Sequence, residues 1–201
     1  MNTVSRTPPE DKKTLRRNAL AARAMMAHAT GPVAAQRLAE RVMELLERLP
    51  GGIVAGYMPV HHEIDVRPLM ERIAKSGRTL VLPVVKRRDT PLAFREWAPG
   101  DPLREGEFGV PVPLPERPER RPGILLVPLA AFDRDGFRLG YGGGYYDRTL
   151  ATLRAGGEAV TAIGVAYSGQ EMDRVPREET DQPLDWIVTD RQTIGPIGTQ
   201  A

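Results

Sequence analysis

Between Arg138 and Arg148 the chain reads Arg138-Leu139-Gly140-Tyr141-Gly142-Gly143-Gly144-Tyr145-Tyr146-Asp147-Arg148, with four glycines in five positions closed by two tyrosines, an aspartate and an arginine. Glycine admits positive φ and lets backbone approach a ligand, so N–H groups clustered just before a helix can cradle a phosphate. A flexible turn is the simpler alternative. Against it, the run follows the apolar stretch Ile124 to Leu129 and leads into helix-compatible sequence from Tyr146 to Arg154, and a linker has no use for Tyr-Tyr-Asp-Arg. Other groups that could serve such a loop are scattered: Lys12 and Arg16 one helical turn apart, Glu63 after a strand, and Asp190 after the last strand.

Familiar motifs fail one by one. No Gly-Lys-Ser/Thr closes the loop, so it is not a Walker A loop, and Tyr145 stands where the third glycine of a dinucleotide fingerprint belongs. Asp133-Arg134-Asp135-Gly136 has its glycine two positions early for a calcium loop, and Gly144 occupies the place of the bidentate glutamate, so a turn is expected. His62-Glu63 lacks the second histidine of a zinc motif because Val66 is there, and Ser168 has no nucleophile-elbow context. With no cysteine, disulfides, thiolate metal sites and cysteine nucleophiles are excluded.

The elements that must position these residues read as alternating α/β. The 201 residues suit one domain, with 1–8 and 192–201 as loose ends. Thr7-Pro8-Pro9-Glu10 reads as a helix start, with Leu15, Ala19, Ala22 and Met26 as its stripe to about Ala29. A second helix is expected from Pro32 to Leu49, stopped by Pro50-Gly51-Gly52, and Met25, Met26 and Met43 are read as core. Strands follow at Ile53 to Tyr57, Thr79 to Pro83, Leu92 to Trp97, Ile124 to Pro128, Ala159 to Ala166 and Trp186 to Thr189. Helices are expected from Asp65 to Ser76 and from the glycine loop to Gly156. Residues 100–121 show little pattern. The order predicts a three-layer Rossmann-like fold, a mainly parallel sheet flanked by helices, with ligands at the carboxyl ends of the strands.

Charge argues against nucleic acid. The net charge is +2 despite a pI near 9.1, and Lys86-Arg87-Arg88 is followed at once by Asp89. With no apolar run long enough for a bilayer and no signal-peptide core, a cytoplasmic protein is expected.

Taken in order, the residues are similar to the 5-formyltetrahydrofolate cyclo-ligase (methenyltetrahydrofolate synthetase) family. The resemblance rests on Lys12-x-x-Leu15-Arg16, Tyr57-Met58-Pro59 with Glu63-Ile64-Asp65, and Phe108-Gly109-Val110-Pro111. Val127-Pro128 with Ala131-Phe132-Asp133, the glycine run, Gly164-Val165-Ala166-Tyr167 with Gln170, Pro176, Glu179 and Asp181, and Thr189-Asp190 complete it. The glycine motif is specific; the others are individually weak but correctly ordered. The resemblance implies ATP-dependent cyclisation of 5-formyltetrahydrofolate to 5,10-methenyltetrahydrofolate, with Mg2+ as cofactor and ATP as co-substrate; a monomer or a dimer, without nucleic-acid or membrane partners, is expected. It implies that Lys12, Arg16 and Arg138, Leu139, Gly140, Tyr141, Gly142, Gly143, Gly144, Tyr145 and Tyr146 bind ATP, and that Asp147 and Asp190 hold the metal. Glu63 and Arg148 would be catalytic. Met58, Glu63, Tyr141, Gly142, Gly143, Gly144 and Tyr145, with Phe108 or Trp97, would meet the folate.

Each assignment has a plainer counterpart: Lys12 and Arg16 as a solvated helix face, Glu63 as a helix-entry charge, Asp147 as a first-turn residue that could pair with Arg148, and Tyr146 as core. Two departures from the family pattern stand out. The chain has Val112 in Gly109-Val110-Pro111-Val112-Pro113 where the family often has glutamate, and Thr180 before Asp181 where histidine is expected. The first admits a non-catalytic folate-binding relative. The pI alone suggests an RNA-binding domain, which would bind with steep salt dependence.

Overall fold

The computed structural model describes residues 12–50, 52–157 and 159–198. Among the described residues, eleven strands and three α-helices are built around one seven-stranded sheet of order β11-β10-β9-β6-β1-β2-β3. Its parallel centre is β1 (Ile53–Ala55), β2 (Thr79–Val84), β6 (Ile124–Pro128), β9 (Thr161–Ala166) and β10 (Trp186–Thr189); β3 (Ala93–Glu96) and β11 (Thr193–Ile194) close the edges antiparallel. A three-layer α/β sandwich results, as the alternating pattern predicts.

Side chains on the central strands alternate between the two faces. Val54, Leu82, Leu126 and Ile163 meet α1 (Lys12–Arg48) and α2 (Arg67–Lys75), while Ala55, Val81, Leu125, Val127 and Ala162 meet α3 (Tyr145–Ala155) through Leu150 and Leu153. The second half of α1 buries Leu38, Val42, Leu45 and Leu46 at helical spacing. Each large aliphatic side chain so covered contributes about 2 kcal/mol. Nη2 of Arg78 donates to the carbonyls of Leu46 (2.7 Å) and Leu49 (3.3 Å), satisfying acceptors at the end of this helix.

Several sequence expectations are corrected. The two N-terminal helices are one: α1 runs 37 residues straight through Pro32. Proline removes one donor and crowds the carbonyl four residues back, but that carbonyl belongs to exposed His28, where water can serve it, and packing holds both halves in line. The start signal at Thr7 to Glu10 lies outside the described residues. Ala22 is exposed and Met25 is 74% exposed, while Met26 and Met43 are only partly buried; the buried place on this turn goes to Arg23. Residues 100–121 are not patternless: β4 (Leu103–Glu105) and β5 (Pro111–Pro113) pair around a 3-10 turn at Glu107–Gly109. A hairpin, β7 (Ala131–Phe132) with β8 (Arg138–Leu139), separates β6 from the glycine run, and its tip is the expected turn at Asp133 to Gly136. Thr193–Ile194 form a strand where a loose end was expected.

Gly164 in β9 marks a place where the core leaves no room for a side chain. A β-carbon there would stand 2.5 Å from a Leu184 methyl and 3.1 Å from one of Leu129, with Ile187 also in contact. Gly164→Val should therefore destabilise the protein by about 1–3 kcal/mol, measured as a lower denaturant midpoint at unchanged slope.

Candidate functional site

Strand order reverses between β1 and β6: the chain turns to β2 on one side and to β9 and β10 on the other. The connections diverge and leave a crevice at the carboxyl ends of these two strands, the usual place for a ligand in such a sheet. The loop after β1 brings Met58 and Glu63 to it. The segment after β6 brings Leu129 and, past the hairpin, the glycine loop.

The glycine loop is shaped to enter α3 with its first turn uncovered. Gly142 and Gly144 have φ of 95° and 63°, and Gly144 is the N-cap of α3 without a side-chain cap. The N–H groups of the first helical turn have no partners within the helix, and the helix dipole adds positive potential. Cations surround the loop. Nε of Arg16 donates to the Gly140 carbonyl at 2.7 Å, and the guanidinium lies 3.4 Å from where a β-carbon of residue 142 would be. Nη2 of Arg148 donates to the Gly143 carbonyl at 2.6 Å, and the Arg148 guanidinium lies 5.2 Å from the Tyr145 ring centre. Such a loop suits a polyanion.

The acids occupy different surroundings. Glu63 is 8% exposed. Burial pushes its carboxyl above the ordinary range, and the Val60 N–H (2.9 Å) and the Tyr141 hydroxyl (2.8 Å), which donate to it, pull the other way. Asp147 does not pair with its neighbour Arg148. Its Oδ1 accepts from buried Arg138 at 2.6 Å and from the Gln182 N–H at 3.0 Å, and Arg138 also donates to the Gln182 carbonyl. Asp190 follows β10 and accepts the Ser168 N–H at 2.7 Å, in contacts separate from those of Asp147. Lys12 is half-buried and paired: its ammonium donates to Glu178 (2.8 Å) and Asp181 (3.5 Å). Burial lowers its pKa, but these partners outweigh it and leave it raised. Among the described residues, no group of three or more His, Asp or Glu side chains is placed to hold a metal.

Around the mouth, Phe108 is 63% exposed with a backbone φ of 60°, and it meets Tyr145 edge-on at 6.1 Å between ring centres. Met58 is half-buried. Trp97 is a core residue, 8% exposed with its indole N–H on the Asp101 carbonyl, so its ring is not offered to a ligand. Leu139 is fully buried and can present only backbone, and Tyr146 packs against the α3 core with its hydroxyl pKa pushed up by burial. Val112 is buried beneath Gly106 in the β4–β5 hairpin.

Sequence reasoning missed Arg23. It is fully buried, and its guanidinium donates to the carbonyls of His61 (2.7 Å) and Leu129 (3.1 Å) and to the Tyr141 hydroxyl (2.5 Å), joining the loops on both sides of the crevice. The available signal was an arginine on the apolar side of α1, four residues beyond Ala19 and seven beyond Arg16.

The model of the 5-formyltetrahydrofolate cyclo-ligase family matches residues 8–190. The chain is 33% identical over 159 residues to the 5-formyltetrahydrofolate cyclo-ligase of Escherichia coli, covering 77% of this chain and 86% of that one. To the 5-formyltetrahydrofolate cyclo-ligase of Haemophilus influenzae it is 31% identical over 156 residues, covering 75% and 82%. The fold matches the solved structure of Aquifex aeolicus 5,10-methenyltetrahydrofolate synthetase with a TM-score of 0.78 at 28% identity, over 94% of this chain and 95% of that one.

Two stability measurements check this electrostatic account. Because the folded-state pKa of Glu63 is raised, its favourable contribution is complete below the unfolded value and is lost as pH rises through the folded one. Glu63→Gln should therefore melt higher than the parent at neutral pH, and the difference should fade on acidification below about pH 4. Asp147→Ala leaves the buried Arg138 charge unpaired and should cost about 3 kcal/mol, with Asp147→Asn costing less because it keeps an acceptor.

Proposed function

The chain belongs to the 5-formyltetrahydrofolate cyclo-ligase family, and from that premise we propose that it converts 5-formyltetrahydrofolate to 5,10-methenyltetrahydrofolate at the expense of ATP, releasing ADP and phosphate. The observation that carries the reading is the open glycine loop at the N-terminus of α3, ringed by Arg16 and Arg148 and joined through the Tyr141 hydroxyl to buried Glu63.

In this reading the loop from Gly140 to Gly144 and the first N–H groups of α3 wrap the triphosphate, with Arg16 and Lys12 supplying charge from α1. Arg138 acts from below by fixing Asp147. Leu139 and Tyr146 contribute backbone, and Tyr145 faces the folate with Phe108 and Met58. Phosphoryl transfer asks for positioning and charge neutralisation more than for a protein nucleophile, which suits a site without a thiol or a serine elbow. The formyl oxygen attacks the γ-phosphorus as the bond to ADP breaks. N10 then attacks the activated formyl carbon, phosphate departs with the former formyl oxygen, and Glu63 accepts the proton that N10 loses. Arg148 steadies charge on the transferred group.

Asp147 and Asp190 fit the donor set of a magnesium ion held largely by nucleotide oxygens. Both bonds to Asp147 fall on Oδ1, its side chain keeps 23% exposure, and each aspartate offers the hard oxygen such an ion prefers. A bound Mg2+ would neutralise phosphate charge.

Pure protein mixed with 5-formyltetrahydrofolate, ATP and magnesium should generate the near-ultraviolet absorbance of the methenyl product, whereas folate binding without product would sink the proposal. Asp147→Asn should raise the magnesium concentration needed for half-maximal rate about tenfold; an unchanged requirement would remove Asp147 from the metal site.

A further inference from the structure

Arg23 is a permanent cation without solvent exposure, and among the described residues its guanidinium bonds to no carboxylate: its donors reach two backbone carbonyls and one phenol oxygen. An uncompensated charge in that position is strongly destabilising. Compensation lies one residue further on. Arg23 donates to the Tyr141 hydroxyl, and that hydroxyl donates its proton to Oε1 of Glu63 at 2.8 Å, so cation, hydroxyl and carboxylate form one polarised chain in which each bond strengthens the next. The chain also spans the crevice. Arg23 holds the His61 carbonyl of the loop after β1 and the Leu129 carbonyl after β6, and Tyr141 sits within the glycine loop.

We propose that Arg23, acting through the Tyr141 hydroxyl, is the positioning residue that aims the Glu63 carboxylate at the folate. This rests on the reading of Glu63 as the folate-facing acid. The titratable groups facing Glu63 are Arg23 from α1, Tyr141 from the glycine loop, His61 from its own loop, Tyr57 beyond β1 and Tyr146 from α3. Burial, together with the Glu63 charge, pushes the hydroxyl pKa of Tyr57, Tyr141 and Tyr146 upward, so all three remain neutral and Tyr141 remains a donor. Burial raises the Glu63 pKa; against it act the hydrogen bonds from the Val60 N–H and the Tyr141 hydroxyl, then the charge of Arg23, then that of His61. Lysine cannot reproduce the role fully, because Arg23 serves three acceptors at once with a planar fork.

Steady-state rates against pH for full-length Tyr141→Phe, Arg23→Lys and the double variant, with thermal melts of each, test the proposal. Tyr141→Phe should lower kcat/KM for the folate about tenfold and move the acid limb of the profile to higher pH. Arg23→Lys should shift the same limb in the same direction. The double variant should lose little more than Tyr141→Phe alone, because the two residues act in series. Multiplying effects, an acid limb that stays in place, or a lower melting temperature with kcat/KM intact would each overturn the proposal. If Arg23→Lys does not fold, Tyr141→Phe decides alone, since it deletes one hydroxyl from a residue 42% exposed. If Glu63→Gln retains full turnover, the folate reading itself fails. If Glu63→Gln abolishes turnover while Tyr141→Phe retains the parental profile, only the coupling fails.

Discussion

The divergence of chain direction at β1 and β6 is the constraint from which the rest follows. Two adjacent parallel strands whose connections leave in opposite directions cannot cover their shared carboxyl ends, and whatever fills that gap must come from outside the crossovers. Here the filling comes from α1. Its second half is ordinary core, packed on α2 and the sheet, and its first half carries Arg16 and Arg23 to the uncovered end. One long helix thus serves as a structural layer at one end and as a set of charged fingers at the other.

The electrostatics follow from the same arrangement. Side chains placed in the crevice leave water, so each charge needs a partner of fixed geometry. Arg138 finds Asp147, and Arg23 finds Glu63 through a phenol. Burial opposes the charge of Glu63, and the Val60 N–H, the Tyr141 hydroxyl and the Arg23 charge behind it offset part of that opposition.

What the sequence made legible was local. The glycine run, the apolar strands and the stripe of Leu38, Val42, Leu45 and Leu46 each announce themselves within a few residues. What stayed hidden depends on distant partners. Pro32 reads as a helix boundary, and only packing of both halves makes the helix continuous. Asp147 next to Arg148 suggests a pair, yet the partner is Arg138, nine residues back, because the turn into α3 folds that arginine beneath it. Arg23 looks like a surface residue until the loops after β1 and β6 close over it. Trp97 looked available as a ring platform and is core because β3 pairs with β2 at the sheet edge.

The anchoring of the glycine loop bears on how freely such a loop could be transplanted. It is held open by Arg16 from a helix more than a hundred residues earlier, and the helix it feeds is pinned through Asp147 to a backbone amide thirty-five residues later. Its conformation is thus a property of the assembled domain. Grafted alone onto another scaffold, the same eleven residues would keep their composition and lose their shape, so the motif diagnoses this architecture without being a module that travels separately from it.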